Sequence, residues 1–400
     1  MSKRTPLYAL YVADVISLAG NAVAQLAIPW FVLTTTGSAS LTALAVFFNF
    51  LPIVIATFFG GVVVDRLGFR TTSVVADLAS SAAVAAIPLL YSTVGVEIWQ
   101  LMVLVFLGAL LDAPGSTARA ALLPDLVELA GVRMERASGI RSGIQQGAQL
   151  VGAPIGGLLV AGVGATNALW LDSASFLFSA ALVALVVPRP AATVAAVEAR
   201  GSFFAELTEG MRFIWNERVI RALTLTVLVT NLLEAPFPIV MTVFAKETYG
   251  SATDLGLMYG ALGGGALAGA LAYSSIGHRL PRRRTLVFCF AAIPLLYLAL
   301  ATLPPLSVAL VVLAVFGLVS GPINPLLFTV TAERVPLQLR GRVFGAVRAG
   351  AWAAIPLGIL VGGALVGAIG VAATFLTIGL GCTAVVGYGF FNPAFREMDG

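Results

Sequence analysis

GSAS at residues 37–40, followed by an apolar span and DRLGFR at 65–70, recurs 213 residues later as GSAT at 250–253, an apolar span and HRLPRR at 278–283. Each copy places small polar residues before an apolar run and basic residues after it. Further similarities keep the same order: Asn21 matches Asn231 at an offset of 210, and IRSG at 140–143 resembles VRAG at 347–350. Offsets that drift along the chain are typical of a duplication whose loops later changed length. The repeat therefore predicts two similar halves.

The composition indicates a membrane protein. Hydrophobic residues make up 59% of the 400 residues and charged residues only 10%, which is too little charge to cover a soluble protein of this length. An apolar run of about 20 residues can cross a bilayer as a helix. Twelve such runs are present, and they are continuous rather than alternating, which excludes an outer-membrane barrel. They lie near 7–35, 40–64, 72–94, 98–119, 137–161, 166–187, 220–244, 254–275, 285–302, 306–330, 342–369 and 371–391. We predict an all-α integral membrane protein with twelve transmembrane helices in two pseudo-symmetric six-helix bundles.

The basic residues predict the orientation. Counted from an inner N-terminus, 22 of the 23 lysines and arginines lie on the inner side or near the inner ends of spans, and only Lys246 lies outside. By the positive-inside rule, both termini face the cytoplasm. The net charge of +4 is then a topological signal and does not indicate nucleic-acid binding. One histidine and the two span-embedded cysteines, Cys289 and Cys382, do not form a metal site of recognised spacing, and we expect no disulfide.

Three segments follow from the pattern: a first bundle at 1–190, a cytoplasmic linker at 191–219 and a second bundle at 220–400. Within the linker, residues 202–218 predict an amphipathic helix that lies along the inner membrane surface. The apolar residues of its one side are Phe203, Leu207, Met211, Ile214 and Trp215. A tether between the halves is favoured over a regulatory element. The chain has no G-x-x-x-x-G-K-[ST] loop, so ATP is not expected to supply the energy.

The sequence GVVVDRLGFR at 61–70, between the second and third spans, resembles the loop signature of the major facilitator superfamily. LLPDL at 122–126, DSASF at 172–176 and RGRVFG at 340–345 resemble the twelve-span drug:proton antiporters related to macrolide-efflux proteins and enterobactin exporters. The resemblance covers essentially the whole chain. It departs in span five, where GAPIGG at 152–157 has its proline one position later than the Gly-Pro-x-x-Gly-Gly of many such antiporters.

The loop signature has a physical role of its own. Its residues are Gly61, Asp65, Arg66, Gly68 and Arg70. A carboxylate at 65 is favoured by the N-terminus of the next helix, and the arginines can tie the loop to neighbouring carboxylates. The resemblance implies a conformational latch between spans two and eleven. Because His278 replaces the aspartate in the second copy, the two latches are not expected to be equivalent.

The acids within the spans are the candidates for proton coupling. Inserting a charged residue at the centre of a span costs about 2.5–3.5 kcal/mol on insertion scales, so each such residue needs a partner or a function. The acids are Asp14, Asp77, Asp112, Asp172 and Glu234. Glu234 falls near the midplane of span seven, the depth of coupling-ion sites in transporters with repeats. We predict that Glu234 carries the coupling proton, with Asp14 and Asp112 as alternates. The alternative is a structural carboxyl bonded to Asn231.

The other acids are assigned to partners. Asp112 is expected to pair with Arg119 or Arg141, as a static clamp or as a contact that switches during transport. Asp77 is expected to pair with an arginine such as Arg119, and Asp172 is interpreted as structural.

A central substrate cavity is predicted between the repeats. Its candidate residues are Asn21, Gln25, Asn231, Gln145, Gln149, Arg141, Arg348 and Trp352. Aromatic residues in the spans could add apolar walls for a lipophilic molecule, although most such residues pack against lipid or other helices.

We therefore predict a transporter rather than an enzyme, with no catalytic residues and no cofactor: a proton-coupled exporter of amphipathic small molecules that works by alternating access. The alternatives are export of a siderophore or another metabolite, lysolipid transport, an uncoupled uniporter, and a non-transporting receptor or scaffold. The expected partners are a lipophilic substrate, protons and the lipid bilayer, without nucleic acid, and the expected form is a monomer. The expected location is the cytoplasmic (inner) membrane of a prokaryote.

Overall fold

The computed structural model describes residues 3–188, 203–337 and 339–395, without the side chains of 56–66, 149, 203–207, 348 and 391. The described residues form helices joined by short connections, and none of them forms a strand. The first half contains α1 (Thr5–Thr36), α2 (Ala39–Leu67), α3 (Phe69–Thr93), α4 (Ile98–Ala130), α5 (Met134–Val163) and α6 (Ala165–Val186). A shorter helix, α7 (Phe203–Asn216), follows.

The helices of the second half are more often interrupted. They are α8 (Arg218–Glu234), α9 (Phe237–Phe244), α10 (Ala252–Ile276), α11 (Arg282–Ala301), α12 (Leu306–Ser320), α13 (Ile323–Arg334) and α14 (Arg340–Phe391). A π-turn, Ala245–Tyr249, extends α9. Two predicted spans are thus discontinuous: 220–244 is α8 plus α9, and 306–330 is α12 plus α13. Pro236 and Pro322 lie at the interruptions, where a residue without an N–H cannot continue the hydrogen-bond ladder.

Glycines in the left-handed region end corresponding helices. Gly37 (φ 64°) follows α1, and Gly250 (φ 77°), 213 residues later, follows the π-turn after α9. An L-residue with a Cβ rarely adopts this conformation, so the repeat seen in the sequence extends to the backbone. The turn between α2 and α3 uses Gly68 (φ 78°), whereas the second copy has Pro281 (φ −65°) at the same offset.

Ten helical segments among the described residues are long and apolar enough to cross a membrane, which confirms an all-α membrane protein. Helix α2 has 29 residues but is not among these ten, because the longest part of it with described side chains is Ala39–Ile55. Helix α14, with 52 residues, is interrupted at Gly370 (φ 77°), the predicted boundary between the last two spans. Counting α2 and dividing α14 gives twelve spans, and that number stays a prediction.

The chain divides into two compact units, Met1–Ala196 with Ser251–Gly256, and Val197–Gly250 with Leu257–Gly400. In the first unit, α6 packs against α1 and α3, α4 packs against α2 and α3, and α5 packs against α1. In the second, α14 packs against α7, α8, α9 and α11. We refer to them as the N-terminal and C-terminal units. The predicted three-segment division is a separate statement and stays a prediction.

Helix α7 belongs to the C-terminal unit and packs on the start of α14. Ile214 is buried with Ile220 and Val343. Met211 and Trp215, on the same predicted apolar side, are 58% and 64% exposed. The placement of this helix on the membrane surface stays a prediction. Phe203 and Leu207 lie among the residues whose side chains are not described.

Candidate functional site

Arg119 is the centre of an ion cluster in the core of the N-terminal unit. It lies on α4, and its side chain is 2% exposed. Its Nε donates to Oδ1 of Asp14 on α1 at 2.9 Å, and its Nη1 donates to Oδ1 of Asp77 on α3 at 2.6 Å. Nη2 donates to the Ser17 hydroxyl at 3.3 Å. One guanidinium thus joins three helices, and its buried charge is neutralised at short distance.

A second arginine shares one of these carboxylates. Nε of Arg141, on α5, lies 3.2 Å from Oδ2 of Asp14. Nη2 of Arg141 donates to the carbonyl of Ser116 at 3.5 Å. The Asp14 carboxylate is therefore held between two guanidiniums, one on each oxygen. Both oxygens of this carboxylate are therefore fixed in position by charged partners.

Asp112 is held more loosely at the edge of the cluster. Its Oδ1 is 3.9 Å from Nη2 of Arg119, and its side chain is 20% exposed, against 0% for Asp77. Asn21 donates to its other oxygen at 3.0 Å. The shielded Oδ1 atom of Asp112 accepts no hydrogen bond from the described residues.

We call Asp14, Asp77, Asp112, Arg119 and Arg141 the Arg119 cluster. It contains three carboxyls and two guanidiniums, so full ionisation leaves one net negative charge in a poorly solvated site. Such a charge is costly unless the group binds a proton or a cation. Since Asp14 and Asp77 hold the short contacts, Asp112 is the member most able to change its charge.

Glu234 is a partly buried acid without an ion-pair partner in the described part of the C-terminal unit. Glu234 is the last residue of α8, and Pro236 and Pro238 follow it at the start of α9. Neither proline can donate a backbone hydrogen bond, so the carbonyls of Leu232 and Glu234 lack their helical donors. The Oε1 atom of Glu234 is shielded from solvent and accepts no hydrogen bond from a described residue. No described lysine or arginine forms an ion pair with it at bonding distance.

A cluster of aromatic rings begins at Phe237, three residues after this acid. Tyr297 on α11 is completely buried, yet its hydroxyl has no partner among the described residues. Its ring packs against Phe237 at 6.1 Å, Phe316 at 5.3 Å and Phe375 at 6.3 Å between centroids. We call Glu234 and these four aromatics the Glu234 site. It offers one ionisable oxygen, one free hydroxyl and an apolar wall.

The remaining predicted cavity residues are scattered. The Asn231 side chain donates to the Ala351 carbonyl at 3.4 Å and not to Glu234. Gln25 and Gln145 are exposed on α1 and α5. Trp352 is half-buried on α14. Gln149 and Arg348 lie in helices, but their side chains are outside the described part of the chain.

The predicted latch is described only in part. Gly61, Asp65 and Arg66 are in α2, and their side chains are outside the description. Arg70 was expected to reach a carboxylate. Its Nε instead donates to the Val187 carbonyl at 2.7 Å, and its Nη2 donates to the Ala184 carbonyl. These carbonyls lie at the C-terminal end of α6, where unpaired acceptors and the helix dipole favour a cation. Among the residues whose side chains are described, Arg70 therefore binds backbone carbonyls rather than a carboxylate.

Sequence reasoning predicted part of the cluster, including Arg119 as a pairing partner. The Asp77–Arg119 pair is confirmed, and Asp112 is near Arg119 as one alternative proposed. Arg141 pairs with Asp14 instead of Asp112. Arg119 and Ser179, whose hydroxyl donates to Oδ2 of Asp77 at 2.6 Å, were not named as site residues. The presence of an arginine and two acids on three apolar helices was the available signal.

The model of the family described as "Major Facilitator Superfamily" matches residues 10–350 and 223–397. The chain belongs to this superfamily. It is 36% identical over 403 residues to the multidrug efflux pump Tap of Mycobacterium tuberculosis (strain ATCC 25618 / H37Rv), covering 100% of this chain and 96% of Tap. It is 24% identical over 391 residues to macrolide efflux protein A of Streptococcus pyogenes, covering 95% and 94% of the two chains. The expected resemblance to the drug-efflux branch is confirmed.

The fold has solved counterparts. The crystal structure of the nucleoside transporter NupG superposes with a TM-score of 0.75 at 13% identity, covering 100% of this chain and 99% of that one. At this identity the likeness concerns the fold alone. It confirms the predicted major facilitator fold class.

Proposed function

We propose that this chain exports lipophilic small molecules, cations among them, from the cytoplasm in exchange for protons. The similarity to Tap over the whole length supports efflux as the activity. The observation that carries the coupling mechanism is the isolated Glu234, whose shielded oxygen has no partner in a site walled by aromatic rings.

The chemistry of the Glu234 site favours a cation over an anion. A protonated carboxyl is neutral and tolerates a dry aromatic surrounding, whereas an ionised one needs a positive partner. A lipophilic cation can supply that partner and can lie on the faces of Tyr297, Phe237 or Phe316. Proton and cation then compete for the same oxygen, which couples their movements in opposite directions.

The arginines argue against an anionic cargo as the first choice. A siderophore or a lysolipid phosphate needs free guanidiniums. Arg119 is held by Asp14 and Asp77, and Arg141 is held by Asp14. Among the described arginines of the N-terminal core, neither is available without breaking a buried ion pair, which costs several kcal/mol (about 3–5).

The remaining features of the proposal follow the sequence. Both termini lie in the cytoplasm, and the protein resides in the inner membrane of a prokaryote as a monomer. The proton gradient is the energy source, no cofactor takes part, and access to the binding site alternates between the two sides of the membrane. The Arg119 cluster serves as a second charged element, with Asp112 and Asp14 as alternate proton carriers.

Reconstituted protein tests this proposal. Proteoliposomes with an acidic lumen are given a fluorescent lipophilic cation outside, and accumulation is followed for the wild type, Glu234→Gln and the control Glu247→Gln. Glu247 is an exposed carboxyl in the π-turn of the same predicted span. We expect accumulation in the wild type and the control. In Glu234→Gln it should be lost, because the amide can neither release a proton nor form an ion pair with the cation.

Two results would contradict the proposal. Accumulation that survives in Glu234→Gln would move the coupling role to Asp112 or Asp14. Wild-type protein that equilibrates the cation without responding to the gradient would indicate a uniporter.

A further inference from the structure

A row of buried hydroxyls joins α3 and α6 inside the N-terminal unit. Ser81 and Ser173 each donate the hydroxyl hydrogen to the other's backbone carbonyl, at 2.9 and 3.0 Å, and their hydroxyl oxygens lie 2.9 Å apart. Two turns further along α6, Ser179 donates to Asp77. The row therefore runs about 10 Å along α6, from Ser173 to the Arg119 cluster.

Asp172 lies at the far end of this row and is not used by the Arg119 cluster. It is 1% exposed, and its Oδ1 accepts no hydrogen bond from the described residues. The hydroxyl of Ser175 donates to the backbone carbonyl of Asp172 at 2.7 Å. No arginine or lysine is at ion-pair distance from the Asp172 carboxyl among the described residues. A carboxylate oxygen that is this deeply buried without a hydrogen bond departs from the usual rule for buried polar groups.

The Asp172 carboxyl faces α1 next to Asn21. A Cβ added to Gly20 would lie 2.6 Å from Oδ1 of Asp172 and 2.2 Å from the Ser175 hydroxyl. The neighbouring Asn21 donates to Asp112 at 3.0 Å. Asp112 and Asp172 thus lie on either side of the same turn of α1, and each has a shielded oxygen without a donor.

The charges require protons. Four carboxyls, Asp14, Asp77, Asp112 and Asp172, face two guanidiniums, Arg119 and Arg141. Two carboxylates close together in a poorly solvated core do not both ionise readily, and one proton shared between them relieves the repulsion. The short contacts of the arginines go to Asp14 and Asp77. Asp112 and Asp172 are therefore the carboxyls between which one proton can be shared.

We propose that Asp112 and Asp172 form a coupled carboxyl pair that holds one proton inside the N-terminal unit, with Asp172 as its usual carrier. The proton binds an unpartnered carboxylate oxygen, forming one O–H bond, and its release restores the carboxylate without any other reactant. A proton site on Asp172 adds a second, separate acid to the coupling assigned to Glu234. Its use in transport rests on the proposed proton-driven export, whereas its existence does not.

Other ionisable groups around α6 are already engaged or distant. Within the helices packed on α6, Asp14, Asp77 and Arg141 belong to the Arg119 cluster, and Arg70 binds carbonyls at the opposite end of α6. Tyr11 bonds to the Ala137 carbonyl. Tyr8, Arg136 and Glu135 are exposed at the starts of α1 and α5, and Tyr91 is exposed near the end of α3.

Infrared spectroscopy detects protonated carboxyls directly. The full-length protein carrying Glu234→Gln removes the signal expected from the Glu234 site, and this background is compared with and without Asp172→Asn, Asp112→Asn and the control Glu128→Gln. Glu128 is an exposed acid at the end of α4. We expect the background and the control to show a protonated-carboxyl band of about one group at neutral pH.

The pair predicts unequal effects of its two members. Asp172→Asn leaves Asp112 beside Arg119, which stabilises the ionised form, so the band should disappear. Asp112→Asn leaves Asp172 without a cation, so the band should remain, shifted in frequency. An unchanged band in Asp172→Asn, or loss in Asp112→Asn but not in Asp172→Asn, would overturn the proposal.

The result is independent of transport. The infrared band could be lost in Asp172→Asn while the wild-type protein shows no transport response to a proton gradient. That combination would support the carboxyl pair and reject proton-driven export. Gradient-driven export without the band would reject the pair alone. A thermal unfolding scan of each variant verifies that the spectra come from folded protein.

Discussion

The two units share a duplicated sequence, but their cores are built from different kinds of residue. The first unit places Asp14 and Asp77 around Arg119, whereas the second has Thr224 and Phe290 at the offsets of 210 and 213 that relate the repeats. The second unit instead packs Tyr297 among phenylalanine rings beside a single acid, Glu234. Both keep an asparagine at the same position, Asn21 and Asn231. The two halves thus keep similar backbone features, whereas their buried charged residues differ.

The difference separates two tasks. In the Arg119 cluster, charges are mostly neutralised by one another, so the cluster holds α1, α3, α4 and α5 together. At Glu234, no described cation neutralises the acid, so a proton or a substrate can do so. A static ion network holds helices together, whereas an isolated acid can exchange a proton for a cation.

The largest expected effect comes from removing the centre of the ion network. Arg119→Leu leaves Asp14 and Asp77 buried without their short-range cation, and we expect a loss of about 3–5 kcal/mol in unfolding free energy. Denaturant unfolding of the purified protein in detergent measures it. A loss below about 1 kcal/mol would mean that charge pairing does not stabilise the first unit.

The next effect tests the packing of the second unit. A Cβ at Gly317 on α12 would lie 2.0 Å from the carbonyl oxygen of Leu262 on α10, and this backbone cannot move as a side chain can. Gly317→Ala should cost about 1–3 kcal/mol. Gly139→Ala on α5 is the matched control, because nothing lies within 4 Å of its Cβ position. Equal stability of the two variants would contradict the close helix contact.

Removing a single hydroxyl from the first unit is expected to lower the unfolding free energy less than either substitution above. Ser179→Ala removes the donor to Oδ2 of Asp77, and we expect a cost of about 1 kcal/mol. Ser320 of the second unit bonds only to the Gly317 carbonyl of its own helix. Ser320→Ala should therefore be nearly neutral in the same unfolding assay. A reversed order would indicate that hydroxyls do not join helices in the first unit more than in the second.

The smallest effect is expected at an exposed ion pair of the second unit. Arg282 and Glu333 join the start of α11 to the end of α13, and their side chains are 38% and 51% exposed. A double-mutant cycle with Arg282→Gln and Glu333→Gln should give about 0–1 kcal/mol of coupling. A value near that of a buried pair would remove the contrast between surface and core charges.

The helices and the repeat were predictable because long apolar runs and left-handed glycines are local features. The ion pairs were not, since the rotation of each helix decides which face meets a neighbour. Asp14 was predicted as an alternate proton carrier and Gln25 as a cavity residue, yet Asp14 lies between two arginines and Gln25 is exposed. Pro236 and Pro238 beside Glu234 were a local signal for the helix interruption, and they were not used.

Proton release on substrate binding tests the central claim, that Glu234 exchanges a proton for a cationic substrate, most directly. Wild-type protein in weakly buffered detergent solution is mixed with a lipophilic cation, and a pH indicator records protons released per cation bound. The account predicts about one proton for the wild type and for Glu247→Gln, and none for Glu234→Gln. Equal release from Glu234→Gln and the wild type would contradict it.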